Sequence, residues 1–519
     1  MIKLFHRSLP IFLGMIFVLP VALAAEGHDG LLTNSHGSAE FVDCSPRAWL
    51  GWRAIYTLTR RADANGAAGM MGSAPIAASL TWAQARVSVL LPQTYPERPT
   101  PTQPSVPGSA PRANAASRTE QFTLSNERYE KAVRYSRARY VLYFVSELLT
   151  IVVVILFLQL GIAAKFRDFA ECVSDNKFLQ GLVFVPLLIV SVDFFDLPVR
   201  AYAHSLSLRY EQSVQGWGSW LWDWSKEELL GAGLAFVLVL VLRVAMRRSP
   251  RRWWFVFWVL ALPILLFTFF ISPWFIDPLF NKFEPLAAKY PQLTAAMEKV
   301  LHRAGLDIPT DRMFLMEASK KTNSINAYVT GIGASKRVVV WDNTIQKLST
   351  DETVFIFGHE IGHYVLGHNR NGFLFFAALL FVALYLSYRG LHWALDRWGK
   401  DWHIYSPDDW AAVAVLLLLL QVISFLAMPL VSSFSRIQEH AADVYGLELI
   451  HGIVPDSEEV AAHAFQVMGE FDLADPNPSP IITFWLYSHP PLAERLVFAH
   501  GYDPWAKGEQ PKYVRRAGE

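Results

Sequence analysis

Six apolar runs limit what this chain can fold into. They lie at about 140–163, 178–197, 229–246, 253–273, 373–388 and 411–431. Each is near the ~20 residues that a helix needs to cross a bilayer core, with 373–388 the shortest. Hydrophobic residues make up 52% of the chain and charged residues only 18%, below the ~25% usual for soluble domains. A multi-span membrane helical bundle is therefore expected. Glu147, Asp193, Asp196 and Arg243 fall inside or at the ends of the runs. Ionisable groups at such depth usually face a bundle interior or a water-filled cavity; the alternative, open above all to Asp196 and Arg243, is that they sit at the interface and snorkel.

The formal net charge is zero, so the charge balance gives no reason to expect a nucleic-acid partner. Cys44 and Cys172 lie far apart and far from the chain's histidine motif. That excludes a cysteine–zinc cluster and argues against a disulfide framework.

Ahead of the fifth run the chain reads His359-Glu360-Ile361-Gly362-His363. Histidines at i and i+4 share one helix face, so their imidazoles converge on one point that Glu360 reaches from the side. This suits Zn²⁺, which takes neutral histidine nitrogens and leaves one position for water in catalytic sites. Glu360 is then the general base acting on that water. Ser349 and Glu352 have capping-box spacing, and Asp351 adds negative charge to the same first turn. Gly358 and Gly362 would weaken the helix unless something packs closely against them.

A catalytic zinc needs a third protein ligand. Six residues past the second histidine stands Asn369. His368, five residues on, is expected to rotate away from the face carrying His359 and His363. A carboxylate on another helix is the natural candidate. Glu439 opens Glu-His-Ala-Ala-Asp, with Asp443 on the same helical face. Glu439 would coordinate the metal, and Asp443 would accept a hydrogen bond from a ligand histidine. The small Ala441 and Ala442 permit close packing against the metal helix.

Taken together, His359–His363, Ser435-Arg436 with Glu439–Asp443, and Ser488-His489-Pro490 resemble the type I CAAX prenyl proteases. Asp277–Phe283 and Asn326-Ala327-Tyr328 with Val-Thr-Gly extend the likeness, which covers about 125–500. The resemblance implies a mainly α fold. Its membrane helices enclose a chamber, and a small α+β zincin-like (gluzincin) protease domain completes it. It implies one Zn²⁺ per chain on His359, His363 and Glu439, with Glu360 as base and His489 donating to the developing oxyanion. It also implies that Arg495 supports the site by pairing with Asp443. Asn326, Ala327, Tyr328 and Val329 would bind substrate backbone by strand addition.

The expected organisation follows in chain order. Residues 1–25 form a signal peptide or membrane anchor, and 26–120 a linker rich in Pro, Ala and Ser. Membrane helices 1–4 occupy 121–279. The first protease segment, with its metal helix, spans 280–370, with a helix near 291–305 and strands near 312–318, 325–330 and 336–341. Membrane helices 5–6 follow at 371–431, the second protease segment at 432–504, and a polar tail at 505–519. The expected activity is zinc-dependent endopeptidase cleavage of a peptide or membrane-protein substrate. The expected location is a bacterial cytoplasmic (inner) membrane, with the lipid bilayer as partner and the oligomeric state open. The competing classes are a heat-shock-type quality-control zinc protease and a non-enzymatic scaffold or metal carrier. For orientation, the basic loop 247–252 points one way by the positive-inside rule. Arg128, Lys131, Arg134, Arg137 and Arg139 point the other way, as does the family arrangement, which puts the zinc domain in the cytosol.

Overall fold

A computed structural model describes residues 124–331 and 336–514. The segments expected at 1–25 and 26–120 lie outside the described residues. Five long helices form the first half: α1 (Asn126–Gln159), α2 (Ile162–Val173), α3 (Lys177–Arg209), α4 (Trp217–Arg248) and α5 (Trp253–Ile271). The second half contains α6 (Pro291–Arg303), α7 (Thr350–Val365), α8 (His368–Trp398), α9 (Ala412–Ile450), α10 (Ser457–Phe471), α11 (Pro480–Leu486) and α12 (Leu492–Gly501). Among the described residues, six helices are long and apolar enough to cross a membrane: α1, α3, α4, α5 with its continuation to Phe280, α8 and α9. Their outer faces present Leu148, Val152, Phe194, Phe267 and Phe275, a surface suited to lipid and a liability in water.

The ionisable groups within the spans turn inward. Gln421 donates to Glu147 at 2.6 Å, and Asp196 accepts from Ser146 at 2.8 Å and from Arg200 at 3.0 Å. Asp193 lies 3.6 Å from Arg200. Arg243 is internal rather than snorkelled, 6% exposed, stacked 3.7 Å over Trp410 and donating to the Asp408 carbonyl.

The two ends of the bundle differ. The first turns of α1 dock on the carboxy-terminal segment: Arg128 meets Glu470 at 3.2 Å, and Ser136 donates to the Leu473 carbonyl at 3.1 Å. At the far end α2 and the 399–411 connection interlock, with Arg167 donating to Asp409 at 2.7 Å. Arg247, beside the basic loop, lies 3.6 Å from Asp408 at that same end.

Outside the spans, the chain builds a unit on a four-stranded sheet in the order β1-β2-β4-β3. Its strands are β1 (Phe283–Pro285), β2 (Met313–Met316), β3 (Ala327–Thr330) and β4 (Arg337–Trp341). β2 pairs parallel to β4 with Met313 opposite Val338, and β3 pairs antiparallel to β4 with Ala327 opposite Val340. Met313, Leu315, Val338 and Val340 pack with Met297, Phe355, Ile361, Leu447 and Phe465 in one core. That core joins the sheet to α6, α7, α9 and α10.

β1, too short for a periodic signal, was not expected. Nor was the continuity of the sixth span with the helix carrying Glu439. α9 has 39 residues, roughly 58 Å at 1.5 Å per residue, almost twice the ~30 Å hydrocarbon core. Its last turns thus stand clear of the bilayer, inside the core that carries the sheet. The tail is also not loose up to Val514. Buried Glu448 accepts from the Tyr502 hydroxyl and from the backbone N–H groups of Lys512, Tyr513 and Val514.

Candidate metal centre

α7 is strongly specified at its start. Ser349 Oγ accepts the Glu352 N–H at 3.3 Å, and Glu352 accepts the Ser349 N–H at 2.6 Å. The capping box thereby satisfies two end donors that the helix cannot. Its buried face crosses α9 at glycines. A Cβ at Gly446 would sit 2.8 Å from the His359 nitrogen, and one at Gly362 would sit 3.2 Å from Ala442 Cα. The helices touch backbone to backbone, which brings Glu439 and Asp443 up to the histidines.

His359 Nε2 and His363 Nε2 are 3.1 Å apart. Glu439 Oε2 lies 3.3 Å from the first and 3.6 Å from the second. Three ligand atoms held at 2.0–2.1 Å around a tetrahedral cation are separated by about 3.3–3.4 Å, so these spacings match the edges of such a polyhedron. Glu439 Oε2 is buried and accepts no hydrogen bond, and a shared cation is what would satisfy it. His359, His363 and Glu439 could therefore hold a metal ion.

The surroundings favour positive charge. Burial alone would depress the His359 pKa, but Asp443 and Glu439 hold the imidazole up to about 10. Asp443 Oδ1 stands 2.7 Å from His359 Nδ1, on the ring edge away from the triad. Arg495 grips that carboxylate through two bonds of 2.9 and 2.6 Å. Asp443 is fully buried and Arg495 nearly so, and such a bidentate pair fixes orientation as well as charge. Glu360 follows His359 directly, and burial raises its pKa against the pull of His363 and His359. A carboxylate so poised takes up a proton more readily than one in water.

His489 lies on α9's side of the cluster, its Nε2 3.2 Å from Glu439 Oε1 and its Nδ1 2.9 Å from Ser488 Oγ. Asn326 is exposed, and its backbone is tied at both ends to Thr344 Oγ1, at 2.9 and 2.6 Å. Ala327, Tyr328 and Val329 follow in β3, which is an edge strand beside α7.

One expectation is overturned. His368 does not rotate away: its Nδ1 lies 2.9 Å from His363 Nδ1. α7 ends before it, and Gly367 adopts the left-handed conformation at φ 69°. The chain then reverses and starts α8 at His368. A glycine just past a helical pattern marks such a C-terminus, and that signal was present in the sequence.

Several known proteins are similar to this chain. Residues 287–502 match the model of peptidase family M48. Residues 112–282 match the CAAX prenyl protease N-terminal model, described as five membrane helices. The uncharacterized metalloprotease YhfN of Bacillus subtilis is 33% identical over 71% of this chain and 84% of its own length. CAAX prenyl protease 1 of Saccharomyces cerevisiae is 26% identical over 72% of this chain and 86% of its own. The crystal structure of S. mikatae Ste24p superposes with a TM-score of 0.63 at 25% identity, covering 72% of this chain and 89% of that one. The expected fold class is the one observed: a mainly α membrane bundle enclosing a chamber, with a small α+β peptidase domain. The chain is thus a multi-pass membrane metalloendopeptidase, which sets aside the scaffold alternative, and it belongs to peptidase family M48 with the membrane domain of the CAAX prenyl proteases.

Proposed function

We propose that the metal is a single Zn²⁺ held by His359, His363 and Glu439, and that the enzyme hydrolyses membrane-associated polypeptides. The observation that carries this reading is the triad of donor atoms spaced 3.1, 3.3 and 3.6 Å apart. Two nitrogens and one carboxylate oxygen form a donor set that zinc accepts readily. When bound there, zinc supplies a Lewis acid that polarises the scissile carbonyl and acidifies water.

This chain's residues perform the remaining steps. Glu360 takes the proton of the attacking water and returns it to the leaving amine. His489 turns from Glu439 to donate to the oxyanion of the tetrahedral intermediate. Asp443, fixed by Arg495, keeps the His359 ring aimed at the centre. Substrate lies extended along β3, pairing with the backbone of Asn326 to Val329, so the scissile bond passes α7.

The peptidase domain faces the cytosol of a bacterium, and the bundle lies in its inner membrane. The likeness to YhfN supports the bacterial setting, and the basic turns of α1 beside the peptidase domain support the orientation. Misfolded or signal-derived membrane polypeptides are the substrate class that fits best. The name of the yeast relative, CAAX prenyl protease 1, raises prenylated substrates as the alternative.

The test is metal analysis of purified protein together with cleavage of an unprenylated peptide, with and without Glu360→Gln. The proposal predicts zinc in both proteins and a loss of cleavage of about 10²–10⁴-fold in the variant. Unchanged cleavage by Glu360→Gln would overturn it.

A further inference from the structure

His363 presents its Nε2 to the triad, 3.1 Å from His359 Nε2 and 3.6 Å from Glu439 Oε2. Its Nδ1 points the opposite way and meets His368 Nδ1 at 2.9 Å. A neutral imidazole that ligates through one nitrogen carries its proton on the other. The hydrogen bond therefore has a fixed sense: His363 Nδ1–H donates, and the Nδ1 lone pair of His368 accepts. His368 must then be neutral, with its own proton on Nε2.

The residue is also well fixed. His368 is 8% exposed, and its ring stands edge-on to that of His363 at 74° with centroids 5.0 Å apart. Gly367, at φ 69°, supplies the reversal that swings it there. The two histidines of the triad thus have chemically different supports. His359 leans on the Asp443–Arg495 ion pair, and His363 on a neutral ring that adds no further negative charge. We infer that His368 is a positioning residue for the metal centre, accepting the His363 Nδ1–H and so setting that ligand's tautomer and orientation. This rests on the reading that His359, His363 and Glu439 hold a metal.

The test uses full-length protein in lipid nanodiscs and measures Zn²⁺ affinity against a competing chelator, the absorption spectrum with Co²⁺ in place of zinc, and metal-free thermal unfolding. His368→Phe removes the acceptor and keeps the ring. His368→Asn keeps an acceptor, its amide oxygen standing close to where Nδ1 was. The expected result is a 10–100-fold loss of zinc affinity and an altered Co²⁺ spectrum for His368→Phe, with His368→Asn within about threefold of the parent. A folded His368→Phe with parental affinity and spectrum overturns the inference. So does a lowered metal-free unfolding temperature in both variants with affinity unchanged, which is what a packing role alone gives. Should His368→Phe not fold, His368→Asn decides: retention supports the inference, and a loss beyond tenfold contradicts it. If the parent protein itself binds no zinc, it is the metal reading that fails, separately from the role of His368.

Discussion

At His359 the demands on a single side chain are met by three neighbours. Its Nε2 faces His363 and Glu439, its Nδ1 faces Asp443, and its backbone nitrogen lies against Gly446. Asp443→Asn should therefore weaken metal affinity about 10–100-fold through the ligand it orients, read by chelator competition. Arg495→Met should behave differently. It leaves a buried carboxylate without its cation, and a loss of about 3–5 kcal/mol is expected in metal-free unfolding. Most of this residue-level arrangement was legible in the sequence. The i, i+4 histidines and the i, i+4 carboxylates each report one helix face, and a metal supplies the reason for the two faces to meet. His368 was misread because helical phase was extended past Gly367, where the backbone had already left the helix.

The elements that deliver these side chains are α7 and α9, and their crossing is set by glycine. Gly446→Ala puts a methyl group 2.8 Å from a backbone nitrogen that no rotamer change can move. The helices must separate, and we expect about 1–3 kcal/mol of destabilisation together with reduced zinc retention after gel filtration. Ser349→Ala provides a contrast. It removes half of the capping box, should cost about 1 kcal/mol, and should leave the metal in place. Spans and caps were readable because length, apolarity and cap chemistry are local properties. β1 and α11 were not, having three and seven residues, too few to show a period. The fusion of the sixth span with the Glu439 helix was also hidden. The composition changes from apolar to polar at the membrane boundary, whereas the backbone runs straight through it.

For the whole molecule, the two charge signals that bear on orientation lie at opposite ends of the bundle. Arg128 is tied to Glu470 on the peptidase side, and Arg247 to Asp408 on the far side. The cytosolic assignment predicts that a tag after the tail is digested in spheroplasts only once they are lysed. Digestion in intact spheroplasts would reverse it. The tail makes a related prediction. Glu448→Gln removes the buried charge that gathers Tyr502 and three backbone amides of residues 512–514, so limited proteolysis should then trim the carboxy terminus faster. Sequence reading called this stretch a polar tail because its composition is polar. The acceptor that fastens it sits more than 60 residues earlier, on α9.

The convergence of α7 and α9 on one cation is tested most directly by counting metal per chain in the purified protein and in Glu439→Ala. The account predicts about one zinc per chain in the parent, as for a mononuclear catalytic site, and little in the variant under the same dialysis. Full zinc occupancy in a folded Glu439→Ala, or none in an active parent, would contradict it.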